Sequence, residues 1–463
     1  MLNYLFTVLI SVYLLSVLFP SPAVEFLVSL LSLLSILLTI TLVNKMVLKF
    51  GLAFLGLGIF MLYTSGTSPG QYLFSFGSML NLLSLFALVP ILALPIKLGN
   101  YAEAVQKIIH EKVKNSGQLY MLSSGISYFL SSFMNLAALP MTYYAIQPSI
   151  RLFSITNKPR FMSRSITHGF AMPLLWTPVT PIVGIVIEMT GVSWGAMLPI
   201  LIPLSILGLL LDWATGVYLS KKYHAPSPLG RPQAYKEMAA AIDHSSQGEK
   251  TSKLFHLIGA VLLLNVIITF ADLYLDVSFL FLVTILVIPF SFTWALLIQK
   301  GKGFLTGLKE HFDTHLLKMK DQFFIFLSAG FFISAIGISG TEQTINKWIG
   351  GLITVIGEHA FLFIVPLLPL ALAFIGLHPA VALALLVEAI DFSILGISPV
   401  VFTLAMLGGA VPAFLMGPYN ATLGLMSNII DEDPYKISRW NAGFTFMYLV
   451  LLLVLISILQ LIF

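Results

Sequence analysis

Two stretches of the sequence place hydroxyl, amide and imidazole side chains in otherwise apolar surroundings. The first contains Ser131, Ser132 and Asn135, and the second contains Gly376 and His378. Hydroxyl and amide oxygens are suitable ligands for a sodium ion or a polar substrate, and histidine changes its charge near neutral pH. We therefore predict that both stretches bind substrate and that His378 exchanges protons. Local capping of helix ends is the alternative role for these side chains.

Two further stretches combine proline with hydroxyl and amide side chains. They contain Thr177, Pro178 and Thr180 in the first case, and Gly417, Pro418, Asn420 and Thr422 in the second. Proline lacks a backbone N–H and breaks a helix, which leaves neighbouring N–H and C=O groups free to bind a ligand. We predict that these residues line a substrate site, and that Ser132, Asn135 and Asn420 hold a bound sodium ion. A kinked helix whose hydroxyls bond back to the preceding turn is the alternative.

The composition places these elements in a membrane. Apolar residues make up 58% of the 463 residues, charged residues make up only 10%, and the mean hydropathy is +0.96. Because soluble domains carry about 25% charged residues, a soluble globule is excluded. The continuous apolar runs of roughly 20 residues match helices that cross a bilayer, and not the alternating pattern of a barrel. The predicted fold class is an all-α polytopic membrane protein with eleven transmembrane helices.

These spans account for most of the apolar sequence. We place them at 4–20, 24–43, 50–66, 72–96, 163–190, 194–219, 253–272, 277–299, 322–341, 397–428 and 440–463. Two other apolar stretches, 119–148 and 359–390, are interrupted near their middle. With roughly 14 residues per arm, each arm is too short to cross the bilayer. We predict a re-entrant hairpin at each stretch, with two complete spans at each as the alternative.

The basic residues orient the chain. With the N-terminus in the cytoplasm, 23 of the 24 Lys and Arg residues fall in cytoplasmic segments, and only Lys347 falls outside. This distribution agrees with the positive-inside rule. It predicts an integral protein of the cell (inner or plasma) membrane with a cytoplasmic N-terminus and an external C-terminus. It also makes the two hairpins enter from opposite faces.

The second half of the sequence repeats features of the first at an offset of about 241 residues. Phe133 and Phe374 are 241 residues apart, and Pro178 and Pro418 are 240 residues apart. We predict an inverted repeat in which each half has three spans, an amphipathic surface helix, a hairpin, a broken helix and a final span. The surface helices are expected at 100–114 and 343–357.

The predicted boundaries follow from this order of elements. An extra N-terminal span at 1–22 precedes the first repeat at 23–219, which contains the broken helix at 163–190. A cytoplasmic linker at 220–252 joins it to the second repeat at 253–463, which contains the broken helix at 397–428.

Two opposed hairpins, each followed by a proline-broken span, make the chain similar to the ion transporter superfamily. This group includes divalent anion:sodium symporters, arsenite and citrate permeases, and the large membrane subunits of tripartite carboxylate transporters. Ser131, Ser132 and Asn135 approximate the Ser-Asn-Thr signature of its sodium symporters, whereas Gly376 to Pro379 lack that signature. The resemblance implies an elevator mechanism in which 119–219 and 359–463 move, and it implies a homodimer.

Few ionisable residues are expected inside the membrane. We expect His378 alone near its middle, His168 at the interface, and no deep Arg, Lys or carboxylate. A deep carboxylate would suit proton exchange, so its expected absence favours sodium. Glu188, Glu388 and Asp391 are expected at the outer ends of their elements.

The function expected from these features is secondary active transport of a small organic anion, coupled to sodium or protons. Transport of an inorganic oxyanion, cation/proton antiport by the same fold, and a partner-dependent subunit of a carboxylate transport system are the alternatives. The sequence has no cysteine, and no phosphate loop, zinc motif or Ser/His/Asp constellation that would indicate an enzyme. We expect membrane lipid as a partner, no nucleic acid, and no cofactor beyond a bound sodium ion.

Overall fold

The computed structural model describes residues 2–99, 113, 115–150, 153, 155–222, 247–392 and 396–462. The helices of its first half are α1 (Leu2–Leu18), α2 (Pro22–Thr39), α3 (Lys45–Thr64), α4 (Pro69–Phe74), α5 (Leu80–Leu88), α6 (Ala93–Leu98), α7 (Ser116–Met134), α8 (Ala138–Ile150), α9 (Lys158–Ala171), α10 (Pro181–Thr190) and α11 (Trp194–Lys222).

The helices of the second half are α12 (Gln247–Tyr274), α13 (Phe279–Leu297), α14 (Gly301–Glu310), α15 (Lys320–Ser339), α16 (Thr341–Ile356), α17 (Glu358–Ile364), α18 (Leu368–Ile375), α19 (Pro379–Ala389), α20 (Pro399–Met416), α21 (Ala421–Ile430) and α22 (Pro434–Ile462). The described residues contain no strand. The prediction of an all-helical membrane protein is therefore confirmed.

Eleven helical segments of the described chain are long and apolar enough to cross a membrane. The number agrees with the prediction, but the set differs. It includes Ser116–Ile150 and Glu358–Ile375, which hold the predicted hairpins. It omits Leu2–Leu18, which has only 17 residues, and the predicted span 163–190, which is divided between α9 and α10.

The span predicted at 72–96 corresponds to the candidate span Leu80–Leu98, which starts later and is not one continuous helix. The chain there forms α4, a run of turns, α5, a 3-10 turn at Val89–Leu92, and α6. Gly77 takes a φ of +103°, which ends helical geometry before α5. Pro90 lies at the start of the 3-10 turn and cannot donate to the preceding turn of helix.

Helices α3 and α15 pack closely against each other. A Cβ atom on Gly51 would lie 2.2 Å from the ring of Phe324, and one on Gly58 would lie 2.7 Å from the ring of Phe331. The two glycines are seven residues apart on α3, and the two phenylalanines are seven residues apart on α15. Each ring therefore fits against one glycine on the same face of α3.

Both predicted hairpin regions consist of two helices with unequal lengths. In the first, α7 has 19 residues and α8 has 13. In the second, Glu358–Ile375 has 18 residues around a 3-10 turn, and α19 has 11. The expectation of about 14 residues per arm is therefore wrong. In each hairpin, the arm that comes first in the sequence is long enough to cross a bilayer, and the arm that follows it is not.

The broken helices recur with the same local pattern 240 residues apart. Pro181–Thr190 and Ala421–Ile430 both have 10 residues and both end at a left-handed residue, Gly191 or Asp431. A 29-residue helix follows each, starting at Trp194 in one half and 240 residues later in the other.

The contacts between the two broken helices are those expected of an antiparallel pair. The first part of one, α9, packs against both parts of the other, α20 and α21. The last part, α10, packs against α20. Each final part also packs on the second arm of the opposite hairpin, α10 on α19 and α21 on α8. The two breaks therefore lie within one shared region of the fold.

Two predicted segments fall partly or wholly outside the described residues. The surface helix expected at 343–357 corresponds to α16, whereas the one expected at 100–114 lies outside the described residues, apart from residue 113. Of the linker at 220–252, residues 223–246 lie outside them, and helical backbone occupies both of its ends.

Candidate functional site

Hydroxyl groups at the first hairpin tip bond back to their own helix. The Ser131 hydroxyl donates to the Tyr128 carbonyl at 3.0 Å, and the Ser132 hydroxyl donates to the Phe129 carbonyl at 2.7 Å. Each oxygen keeps lone pairs that can accept another hydrogen bond or coordinate a cation. Both hydroxyls therefore bond within the last turns of α7, in keeping with local capping as the alternative role at this tip, and both oxygens keep the capacity to bind a ligand.

Asn135 forms the tip itself. Its backbone has φ +49° and ψ −135°, which ends α7 and turns the chain into α8. Its half-buried side chain makes no hydrogen bond with the residues that the structure describes. The amide of Asn135 is therefore available to a ligand at this tip.

The first break is joined to this tip by a hydrogen bond. The Thr177 hydroxyl donates to the backbone carbonyl of Ser132, and both residues are buried. In the second half, Gly417 occupies the equivalent place in the break. A Cβ atom there would lie 2.8 Å from the Cβ of Ala373, which is 241 residues after Ser132. Both breaks therefore contact the hairpin of their own half at the same relative position.

Asn420 forms hydrogen bonds with both helices that flank the second break. Its Nδ2 donates to the carbonyls of Ala413 at 2.8 Å and Phe414 at 3.0 Å, near the end of α20. Its Oδ1 accepts from the Leu423 N–H at 2.8 Å, at the start of α21. Both of its amide protons are used inside the break, so only the second lone pair of Oδ1 remains for a cation.

Each break also contains a buried hydroxyl without a partner. Thr180 is 1% exposed and Thr422 is 0% exposed, and neither Oγ1 has a hydrogen bond within the described chain. A buried polar group left unpaired costs about 1–3 kcal/mol. Because such groups normally find a partner in a folded protein, these two hydroxyls are suited to bind a ligand. Pro178 and Pro418 lie buried in the turns beside them.

The second hairpin tip reverses the chain at Gly376. Its φ of +105° suits glycine alone, and a Cβ atom would overlap Met46 Cε at 1.5 Å. The positive φ is therefore the reason for glycine at this position, while Met46 of α3 packs its terminal methyl into the space beside it.

His378 caps the short helix α19. Its Nδ1 accepts from the Ala380 N–H at 3.2 Å, and its ring lies edge-on to Phe86 and Phe326 with centroids 5.6 and 5.4 Å away. The first tip contacts the neighbouring turn Val89–Leu92. Both hairpin tips thus meet the same part of the framework, residues 80–92.

The main departure from the sequence predictions is a buried ion pair. His168 and Asp212 are both 0% exposed, and His168 Nδ1 lies 2.7 Å from Asp212 Oδ1. Both side chains are therefore enclosed by protein, and this pair was not predicted from the sequence. The expectations that His168 is interfacial and that the middle of the membrane lacks a carboxylate concern depth in the bilayer and stay predictions. Asp212 also accepts from the Tyr120 hydroxyl at 2.7 Å and the Ser124 hydroxyl at 2.6 Å. The only sign of this carboxylate in the sequence is one acidic residue within the apolar run Leu209–Trp213.

The ion pair is linked to the second half through Asn441. His168 Nε2 lies 3.1 Å from Asn441 Oδ1, and Asn441 Nδ2 donates to the Leu415 carbonyl at 2.8 Å. Leu415 is two residues before the break at Gly417. The Phe444 ring stacks on the His168 ring with centroids 4.2 Å apart.

The three carboxylates expected at outer ends have different surroundings. Glu188 is half-buried at the end of α10, where it accepts from Asn81 Nδ2 at 2.9 Å and from the Ser278 hydroxyl. This interaction ties α10 to α5 and to the start of α13. Glu388 and Asp391 are also half-buried, at and just after the end of α19.

Comparison with known proteins identifies the fold. The chain is similar to the YdaH transporter of Alcanivorax borkumensis, whose crystal structure is described as revealing an unusual topology. The TM-score is 0.55 at 13% sequence identity, over 89% of this chain and 97% of the other. No family model matches the sequence, and no curated protein matches it either. The chain therefore shares the overall fold of that protein.

Proposed function

We propose that the protein is a secondary active transporter of a small organic anion that works by an elevator mechanism. The observation that carries this proposal is the antiparallel pair of broken helices, whose breaks lie against two hairpins. Broken helices inside a membrane are tolerated where they line a cavity, and they are typical of substrate sites in secondary transporters. The similarity to the YdaH transporter supports the same class.

The proposed substrate site lies between the hairpin tips and the two breaks. The buried hydroxyls of Thr180 and Thr422 and the free amide of Asn135 supply polar groups there. The breaks contain no Arg or Lys. A carboxylate would therefore be bound by hydroxyls and by the N-terminal ends of α10 and α21, where helix dipoles favour anions.

The hydrogen bonds around His168 favour protons as the coupling ion. The oxygen of Asn441 can only accept, so Nε2 must donate to it. Nδ1 faces Asp212, whose carboxylate also accepts from two hydroxyls. One additional proton must therefore lie between Nδ1 and Oδ1, on either group. Arg164, one turn earlier on α9, is the nearest further charge on that helix.

Loss of this proton would be transmitted to the second break. Without it, His168 can donate to Asp212 or to Asn441 but not to both. Release of Asn441 would alter its bond to the Leu415 carbonyl at the end of α20. We propose that this connection couples proton binding to the substrate site.

The elevator proposal divides the chain as the sequence predicted. Residues 119–219 and 359–463 would form the moving part, and the remainder would form the framework of a homodimer in the cell membrane. The two hairpins would re-enter from opposite faces, because their second arms, α8 and α19, have only 13 and 11 residues and are too short to cross the bilayer. The N-terminus would be cytoplasmic and the C-terminus outside. Two predictions remain. Sodium would bind at Ser132, Asn135 and Asn420, and His378 would exchange protons. Cation/proton antiport is the second candidate function, because the His168–Asp212 pair would serve it equally well.

Uptake into proteoliposomes tests the proposal. Radiolabelled carboxylates would be offered under an inward proton gradient, an inward sodium gradient, or neither. We expect the proton gradient to drive accumulation, and Asp212→Asn to abolish it. His256→Gln, at an exposed histidine, is the matched control. Accumulation that requires only sodium would contradict proton coupling, and no gradient-driven flux of any carboxylate would contradict organic anion transport.

A further inference from the structure

A cavity with three arginines in its lining lies away from the breaks, at the opposite end of α9 from its break. It has a volume of about 460 Å³ and lies between α9, α11 and α22. Its lining includes Arg160, Arg164 and Arg439, together with Tyr218, Trp440 and Phe444. The proposed transport mechanism does not use this cavity.

The cavity carries an unbalanced positive charge. Its lining contains three arginines and no acidic residue. Within the described chain, none of the three forms an ion pair, and the nearby carboxylate of Asp212 is bound to His168, Tyr120 and Ser124.

Arg164 is the innermost of these arginines. It is 7% exposed, and its Nε has no hydrogen-bond partner. A buried guanidinium nitrogen without a partner is costly, so an anion in this cavity would be stabilised by Arg164. Arg160 and Arg439 are exposed at the mouth of the cavity and can reach the same anion from two other directions.

The remaining lining indicates an amphiphilic ligand at a membrane surface. Trp440 and Tyr218 are residues typical of the membrane–water interface. Phe444 and Met447 continue the wall with apolar surface toward the middle of α22. The same distribution of charge that orients the chain places the arginines on the cytoplasmic side.

We propose that this cavity binds a phosphate group, in the form of the headgroup of an anionic phospholipid in the cytoplasmic leaflet. Guanidinium groups bind phosphate oxygens in a bidentate manner, and basic pockets between transmembrane helices bind anionic headgroups. The apolar wall beside the arginines would contact the acyl chains. This site adjoins the His168–Asp212 pair through Phe444 and Arg164 but lies apart from the two breaks, and it does not depend on the proposed function.

Thermal unfolding of the full chain in a neutral detergent tests the proposal. The probes are dihexanoyl phosphatidylglycerol, dihexanoyl phosphatidylcholine and inorganic phosphate, at constant ionic strength. We expect phosphatidylglycerol to raise the melting temperature saturably, and phosphatidylcholine to have no such effect. A saturable shift with inorganic phosphate at the same or lower concentration would keep the phosphate site but assign it to a free anion.

Substitutions locate the effect. Arg164→Gln and the double variant Arg160→Gln/Arg439→Gln should each raise the midpoint concentration about tenfold or more, because each removes charge-assisted hydrogen bonds. The double variant changes only exposed residues, so it preserves the test if Arg164→Gln fails to fold. Lys158→Gln, on the same helix but outside the cavity, is the control. Equal midpoints in the wild type and the double variant, or no saturable shift with either anion, would overturn the proposal.

Discussion

Thr177 donates a hydrogen bond to the backbone carbonyl of Ser132, which fixes the first helix break against the tip of the first hairpin. The carbonyl belongs to the last turn of α7, whose final carbonyls have no partner within the helix. The second half makes the equivalent contact without polar atoms, by the approach of Gly417 to Ala373. The same junction is thus polar in one half and apolar in the other.

Thr177→Val should weaken the first junction. Valine keeps the shape of threonine but removes the donor, and leaves the buried Ser132 carbonyl without this partner. We expect a loss of about 1–3 kcal/mol in stability and a lower rate of uptake. Thermal unfolding and initial uptake rates measure the two effects. Thr354→Val, at an exposed hydroxyl that bonds within its own helix, should change neither. An unchanged melting temperature for Thr177→Val would mean that the junction does not depend on this bond.

Asn135→Gly, at the first tip, should lower uptake without lowering stability. Glycine tolerates the positive φ of this position, whereas alanine would add backbone strain. Because the Asn135 side chain has no hydrogen bond with the described residues, its removal should leave the melting temperature close to that of the wild type. Uptake should fall at least about tenfold if the amide binds substrate or sodium. Wild-type uptake would show that the amide is not a ligand.

Asn420→Ala should impair folding as well as uptake. The substitution leaves two carbonyls of α20 and one N–H of α21 without their side-chain partner. We expect a loss of stability of about 2 kcal/mol or more, which thermal unfolding would detect. Asn420→Ser supplies an uncharged cap acceptor for the Leu423 N–H but lacks the two amide donors, so its melting temperature should lie between the two. Equal melting temperatures in all three proteins would contradict this role.

The recurrence of the broken helices was predictable because it depends on residues that act locally. Pro178 and Pro418 end helical hydrogen bonding wherever they occur, and their spacing in sequence gave the spacing of the breaks. The arm lengths were mispredicted because neither hairpin reverses at the middle of its apolar stretch. The chain turns at Asn135 and at Gly376, so the first arm of each hairpin is longer than the second. Hydropathy shows where an apolar stretch lies but does not locate the turn within it.

The ion pair could not be predicted from the sequence because its partners are distant along the chain. Asp212 is a single acidic residue in an apolar run, and it lowers the mean hydropathy of a 20-residue segment only slightly. The side chains that satisfy it come from α7 and α9, and Asn441 comes from the other half of the chain. Only the tertiary packing of these helices shows that this carboxylate is bound.

A histidine outside the membrane spans should make stability depend on pH. Burial lowers the pKa of His311 from 6.5 to about 4, against the opposing effect of its bond to the Ala87 carbonyl at 2.7 Å. Between these values the unfolded chain binds a proton that the folded chain does not. Stability should therefore fall as the pH decreases from about 6.5 to 4, by at most about 1.4 kcal/mol per pH unit.

His311→Gln should reduce this dependence on pH, because glutamine can still donate to the Ala87 carbonyl but does not titrate. Melting temperatures at pH 7.5, 6 and 5 would measure the difference. His315, which stacks on His311 and whose pKa burial also lowers, should retain part of the effect. A melting curve whose pH dependence is the same in His311→Gln and in the wild type would contradict this prediction.

The pH dependence of uptake should distinguish the two candidate coupling histidines. His378 uses Nδ1 to cap α19 and lies between two phenylalanine rings, whereas His168 faces a carboxylate and an amide oxygen that together require an added proton. We expect His168→Gln to flatten the pH profile of uptake and His378→Gln to lower the rate without changing the shape of the profile. Counterflow exchange, which needs no net proton movement, should survive in His168→Gln. A flattened profile in His378→Gln alone would instead assign coupling to the second hairpin tip.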